Sequence, residues 1–210
     1  MNHKVKPSII TIGGMIGSGK TTLADNLAKA LTESGREAVS IDSDRIRKEL
    51  YGIPETSPLP QEAYSREFTQ MLIAETQRRV ESLLDQGITV IQSAAFTSKA
   101  SRERQEAYAE KLGVDFQGVY LTCDEAELRK RVIERKERKD SPSDAGIDIL
   151  EKFLKSQDLD MSWPKVNSNQ PKADVLADAL SALNIAGQTP SVDARSDKKP
   201  TPPKQNGPRR

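Results

Sequence analysis

Cysteine, histidine, aromatic residues and long apolar runs are all scarce in this chain of 210 residues. Cys123 is the only cysteine, so an intrachain disulfide and a cysteine-rich metal site are both excluded. The single histidine, His3, sits in the opening stretch and offers no catalytic base to the body of the chain. No segment reaches the ~18 apolar residues of a membrane-spanning helix. The apolar run in MNHKVKPSIITIGGM is broken by glycines and reads as a strand rather than a secretory signal. A cytoplasmic protein with no membrane partner is the expectation. An excess of either charge is missing too, because 32 Lys plus Arg face 31 Asp plus Glu. No global basic field points to nucleic acid.

What the chain has is alternation between two periodicities. SIITI (Ser8 to Ile12) is a short β-branched run bounded by glycine, a buried strand. Leu23, Leu27 and Leu31 then mark the core stripe of a helix that Gly35 ends. Further strands are expected over Arg36 to Ile41, Ile88 to Ser93, Val114 to Thr122 and around Val166. Helices are expected over Asp44 to Tyr51, through Phe68 to Leu84, over Lys99 to Leu112, from a cap at Asp124 to Arg138, over Gly146 to Asp160, and through Val175 to Leu183. Strands alternating with helices predict an α/β three-layer sandwich with a five-stranded, mainly parallel sheet. Residues 1–7 read as a flexible lead-in and 8–186 as the folded domain. Residues 187–210 hold five prolines and one valine, and read as a disordered Pro/Lys-rich tail.

The most specific signal is GMIGSGKT, Gly14 to Thr21, a G-x4-GK-[ST] loop between an expected strand and an expected helix. Glycines let the backbone wrap a phosphate closely, and the helix N-terminus favours its charge. Residues Gly14, Met15, Ile16, Gly17, Ser18, Gly19, Lys20, Thr21 and Thr22 are the nucleotide-binding candidates. The Lys20 ammonium can reach the β and γ phosphates, and the Thr21 hydroxyl can ligate Mg²⁺. GTP-binding chains usually also carry Asn-Lys-x-Asp; none occurs here, so ATP is the favoured nucleotide.

SIDSDRIRKEL places Asp42 and Asp44 at the end of the second strand, the edge where ligands enter such sheets. A carboxylate there can take a proton from an attacking hydroxyl or help hold Mg²⁺. The plainer role for Asp44 is to cap a helix. Arg47, one turn on, can pair with Asp44, bind an anionic acceptor or stay solvated. Arg131, Arg135 and Arg138 share one helix face and can neutralise phosphate charge. The competing reading is a solvated face, since Glu127 with Arg131 and Glu134 with Arg138 are stabilising i, i+4 pairs. Lys99, Arg102 and Arg104 read as a solvated helix start near the crevice. Cys123 reads as a structural thiol and Trp163 as the anchor of a connection.

TIGGMIGSGKTTLA, SIDSDRIRKEL, VIQSAAF with a following SRERQ, and VYLTCDEAELRKRVIERK together resemble the polynucleotide-kinase-like P-loop kinases. That group includes zeta toxins, chloramphenicol phosphotransferases and gluconate kinases. The resemblance spans roughly Ser8 to Leu183. It implies strand order 2-3-1-4-5, a helical lid, and ATP with Mg²⁺. It implies that Lys20 stabilises the phosphates and that Asp44 is general base toward the acceptor. It also implies that Arg47 positions the acceptor and that Arg131 and Arg135 contact the nucleotide phosphates. The implied reaction moves the γ-phosphoryl group of ATP to a hydroxyl of a small molecule or a nucleic acid end. The near-zero net charge favours the small molecule. One departure stands out: relatives end the third strand with an Asp, in a form like VILDATF, where this chain has Gln92, Ser93, Ala94 and Ala95. That departure supports the alternative, an ATP-binding regulatory module or slow ATPase without an acceptor.

Overall fold

The computed structural model describes residues 6–138, 143–158 and 160–185. His3, the boundary at residue 186 and the tail from 187 onward lie outside the described residues, as does the side chain of Arg138.

Five strands form one sheet: β1 (Ser8–Gly14), β2 (Ala38–Asp42), β3 (Thr89–Ser93), β4 (Asp115–Thr122) and β5 (Lys165–Asn167). Their order is β2-β3-β1-β4-β5, and every neighbouring pair is parallel. The central strand β1 is buried at each of its positions, as a strand covered on both faces must be.

The helices are α1 (Lys20–Glu33), α2 (Ser43–Tyr51), α3 (Arg66–Asp85), α4 (Lys99–Leu112), α5 (Glu125–Arg138), α6 (Ile147–Ser156) and α7 (Lys172–Ala182). Leu23, Leu27 and Leu31 of α1 pack with Val175, Ala179 and Leu180 of α7 against Ile10, Ile12 and Val119 on one sheet face. Leu72, Val80 and Leu84 of α3 and Ala109 of α4 pack on Ile9, Ile41 and Val90 on the other. Period-2 strands thus send alternate side chains into two separate cores, and two helical layers close them. A third, smaller core joins Met15 and Ile16 of the loop after β1 to Leu128 and Val132 of α5 and Leu150 of α6. The helical lid therefore rests directly on the phosphate loop.

Three expectations shift. β2 begins at Ala38, not Arg36. The cap of α2 is Asp42, whose side chain accepts from the backbone N–H groups of Asp44 and Arg45, so Asp44 is freed from capping. α6 stops at Ser156 rather than continuing to Asp160, because Gln157 turns extended (φ −68°, ψ 138°). Arg102 explains where that chain goes: its guanidinium donates to the carbonyls of Phe96, Asp158 and Asp160. Only 3% exposed, Arg102 is a buried clamp and not part of a solvated helix start. Among the described residues, no helix is long and apolar enough to cross a membrane.

Candidate active site

The loop between β1 and α1 is shaped by glycine. Gly14 has φ 149°, and a Cβ there would lie 2.6 Å from Ser18 Oγ and 2.9 Å from the Leu121 carbonyl oxygen. Gly17 has φ 84° and sits against Leu128 and Val132 of α5. The Gly14 N–H donates to the Ala95 carbonyl, tying the loop to the end of β3. A cleft of about 900 Å³ opens above the loop. Residues 16–22, the end of β2, Ser93 to Ala95, and Arg131 and Arg135 of α5 line it. A second groove of about 450 Å³, lined by β2, α2 and α3, shares Asp42 and Arg45 with the cleft but includes none of the phosphate loop.

Lys20 begins α1, and its Nζ donates to the Met15 carbonyl at 2.8 Å. Burial lowers its pKa from 10.5 to about 8, against the pull of Asp44 and Asp42 and with a smaller push from Arg135. A partly desolvated cation at a helix N-terminus favours an anion beside it.

Thr21 Oγ1 donates to Asp42 Oδ2 at 2.8 Å, and Ser93 Oγ reaches the same oxygen at 3.2 Å. The other oxygen, Oδ1, caps α2. Asp42 pairs in register with Ser93 across β2 and β3. The acid missing from the end of β3 is thus supplied by the adjacent strand, beside the Thr21 hydroxyl. A hydroxyl and a carboxylate converging at the mouth of a phosphate loop fit Mg²⁺, which takes oxygen ligands and retains water.

Asp44 faces the same cleft. Burial holds its pKa above the usual carboxylate range and the charge of Asp42 adds to the effect, while a hydrogen bond with Ser143 and the charges of Lys20 and Arg47 oppose it. A partly buried carboxylate with raised proton affinity, close to a phosphate loop, has the chemistry of a general base.

The remaining candidates divide. Thr22 lines the cleft. Arg135 lines it too and donates to the Ala145 carbonyl at 2.6 Å. Arg131 bonds Glu127 and the Ser168 carbonyl, so the expected i, i+4 pair forms while the guanidinium still borders the cleft. Arg47 is not brought into the cleft lining. Its Nη1 donates to the Ala63 carbonyl at 2.6 Å, its guanidinium lies 5.0 Å from the Tyr64 ring centroid, and its buried Nε has no partner. Lys99 pairs with Glu103 on the surface. Trp163 packs against Phe96 and Phe116 and donates to Glu106, away from the cleft. The Cys123 thiol contacts Asn169, and burial pushes its pKa up.

Sequence reasoning gave Asp42 only a role shared with Asp44, named Ser93 only as a lost acid, and did not single out Ser143, Lys48 or Asp144. Strand register was the signal available for Ser93. Ser143 and Asp144 carry no motif.

The sequence profile of the AAA domain family matches residues 9–159. The chain is 30% identical over 122 residues to a probable adenylyl-sulfate kinase of Bacillus subtilis, covering 58% of this chain and 57% of that protein. It is 35% identical over 112 residues to a probable adenylyl-sulfate kinase of Pyrococcus abyssi, covering 53% and 58%. The chain thus spans somewhat over half the length of these curated relatives. Among solved structures, the APS kinase of Mycobacterium tuberculosis in complex with AMPPNP and APS superposes with a TM-score of 0.61 at 16% identity, over 85% of this chain and 98% of that one. A gluconokinase from Sinorhizobium meliloti superposes with a TM-score of 0.57 at 21% identity, over 86% and 93%. At such identities the superpositions speak to the fold alone. They narrow the resemblance to small P-loop kinases in general, not to polynucleotide kinases or zeta toxins. With a matched profile over most of its folded part, a phosphate loop opening α1 and a parallel sheet ordered 2-3-1-4-5, the chain belongs to the AAA domain family and has the fold of small P-loop kinases.

Proposed function

We propose that this chain transfers the γ-phosphoryl group of ATP to a hydroxyl of a small molecule. The observation that supports the reading is Asp44, a partly buried carboxylate of raised proton affinity that shares a cleft with Lys20. The phosphate loop and the N-terminus of α1 bind the phosphates. Lys20 and Arg135 offset the charge that develops on the transferred group, and Arg131 borders the nucleotide side. Asp44 takes the proton of the acceptor hydroxyl as the new O–P bond forms and ADP leaves. Thr21 and Asp42 would hold Mg²⁺, which when bound would supply Lewis-acid charge to the phosphates. Such transfers depend on positioning and electrostatics more than on covalent chemistry.

The relatives' names, adenylyl-sulfate kinase and gluconokinase, support a small-molecule acceptor over a nucleic acid end. The alternative, a nucleotide switch without an acceptor, rested on the missing acid of β3. Asp42 beside Thr21 and Ser93 offers a carboxylate at that edge and favours the kinase reading. A screen for label transfer from γ-labelled ATP into a metabolite extract and an oligonucleotide pool tests the reading. Transfer into a small metabolite that disappears with Asp44→Asn is expected. ATP binding with no transfer into either pool contradicts it.

A further inference from the structure

The connection after α2 forms part of the cleft wall through Glu55. Two residues of α2 hold that connection. Arg45 Nε donates to the Glu55 carboxylate at 2.8 Å, and the Lys48 ammonium donates to the Glu55 carbonyl at 2.9 Å. The Lys48 side chain is 1% exposed and also donates to Asp144 Oδ1 at 2.9 Å. The second oxygen of Asp144 accepts from the Leu59 N–H at 2.9 Å and from the Tyr64 hydroxyl at 3.4 Å. Asp144 thus ties residues 55–64 to the stretch between α5 and α6. Neither Lys48 nor Asp144 lines the cleft, although Glu55 and Ala145 do. Ala145 carries the other link. Its carbonyl accepts from Arg135 Nη2 at 2.6 Å, and Arg135 borders the cleft with the phosphate loop. An unbroken path of hydrogen bonds and one peptide unit therefore runs from Arg135 through Ala145 and Asp144 to Lys48, Leu59 and Glu55.

A buried ion pair is a poor device for stability alone, since apolar residues of similar volume often serve as well or better. Here the pair joins two walls of one cleft. We propose that Lys48 and Asp144 form a latch that couples nucleotide on Arg135 to the cleft wall at Glu55, so that ATP shapes the rest of the cleft before the acceptor enters. The inference rests on the kinase reading, which brings Arg135 to the phosphates. A guanidinium has five N–H donors, so Arg135 can serve a phosphate oxygen and keep the Ala145 carbonyl. Phosphate charge holds that guanidinium in place, which makes its bond to Ala145 more persistent. Asp144 then stays against Lys48 and Leu59 for a larger share of the time. No new contact is needed; the population of the latched form rises. Such coupling is reciprocal: if nucleotide favours the latch, the latch favours nucleotide by the same factor.

Leu59 reports on the latch directly. Pro58 and Pro60 carry no N–H, and the Leu59 amide is the one bonded to Asp144. Hydrogen exchange at the Leu59 amide and calorimetric titration with Mg-AMPPNP are measured on the full chain, in wild type and two variants. In wild type, saturating Mg-AMPPNP should slow Leu59 exchange by about fivefold or more, a typical coupling between sites. Asp144→Ala should abolish that slowing and weaken Mg-AMPPNP affinity by a similar factor, although residue 144 does not line the cleft. Lys48→Met combined with Asp144→Ala leaves no unpaired buried charge, so it should melt above Asp144→Ala while keeping the weakened affinity. If Asp144→Ala does not fold, the double variant decides alone. A purely structural pair would speed Leu59 exchange when removed and leave nucleotide affinity at the wild-type value, which overturns the inference. Binding of Mg-AMPPNP by wild type with no change at Leu59 overturns it as well, and leaves the kinase reading standing. Failure of wild type to bind Mg-AMPPNP at all would overturn the kinase reading, and this inference with it.

Discussion

On the phosphate-loop side of the cleft, residues 16–22 line it as a single run. Behind the cleft lining, a contact joins Lys48 of α2 to Asp144 across 96 positions of sequence. The two regions also differ in what holds them. Glycine conformations and the start of α1 shape the first, and Met15 and Ile16 press it onto the lid helices. Side-chain hydrogen bonds shape the second, in which Asp144 accepts from Lys48, the Leu59 N–H and the Tyr64 hydroxyl. A loop shaped by the main chain depends on local sequence, whereas a cluster of side chains can be rewritten by a few substitutions.

The largest expected effect lies at the nucleotide end. Lys20→Ala should abolish or severely weaken Mg-ATP binding while the far-ultraviolet circular dichroism stays that of the folded chain. Isothermal titration checks this, and unchanged affinity would break the comparison at its stronger side. Asp42→Asn comes next. It keeps the size and capping ability of the side chain but removes the charge beside Thr21. The Mg²⁺ concentration giving half-maximal turnover should rise by about tenfold or more, as for loss of an outer partner of a metal site. An unaltered Mg²⁺ dependence would return Asp42 to capping alone. Arg135→Ala should lower turnover by about tenfold or more with a smaller change in ATP affinity, if its charge acts mainly in the transition state. Equal kinetics would leave it a lid residue bonded to Ala145.

The pH dependence sharpens the same contrast. Lys20 has its folded pKa lowered to about 8, so its charge is present below that value and lost above it. Since kcat/KM reports the free enzyme, it should fall as pH rises past about 8. A plateau to pH 10 would contradict the lowered pKa of Lys20. Asp44 runs the other way. Its raised folded pKa means that folding disfavours the charged form, so ionised Asp44 costs stability at neutral pH. Asp44→Asn should therefore melt above wild type at pH 7, and the gap should close as acid protonates Asp44 in both folded and unfolded states. A lower melting temperature at pH 7 would mean that the charge is stabilising where it stands.

How much of this was legible in the sequence follows from the same division. β1, the phosphate loop and α1 could be read because glycine spacing and the Leu23, Leu27, Leu31 stripe encode local geometry. Strand order came from resemblance, and the register bears it out. Asp44 was placed by its position at a strand end, but its neighbour was misjudged. A one-residue shift in the start of α2 gave the cap to Asp42 and left Asp44 to the cleft. Ser93 looked like a loss because the pattern along one strand cannot show what the next strand supplies. Arg102 looked solvated because its partners are carbonyls of residues 158 and 160, which no periodicity announces. Lys48 and Asp144 were invisible for the same reason: each is an ordinary surface residue until the chain brings them together.

The central claim is that Asp44 removes the acceptor proton, and one comparison tests it most directly. Once the label-transfer screen has supplied an acceptor, transfer by wild type and by Asp44→Asn is measured beside Mg-ATP affinity. The account predicts a fall in transfer of roughly 10²–10⁴-fold, the usual general-base contribution, with ATP affinity nearly unchanged. Full transfer activity in Asp44→Asn, with ATP bound as in wild type, would contradict it.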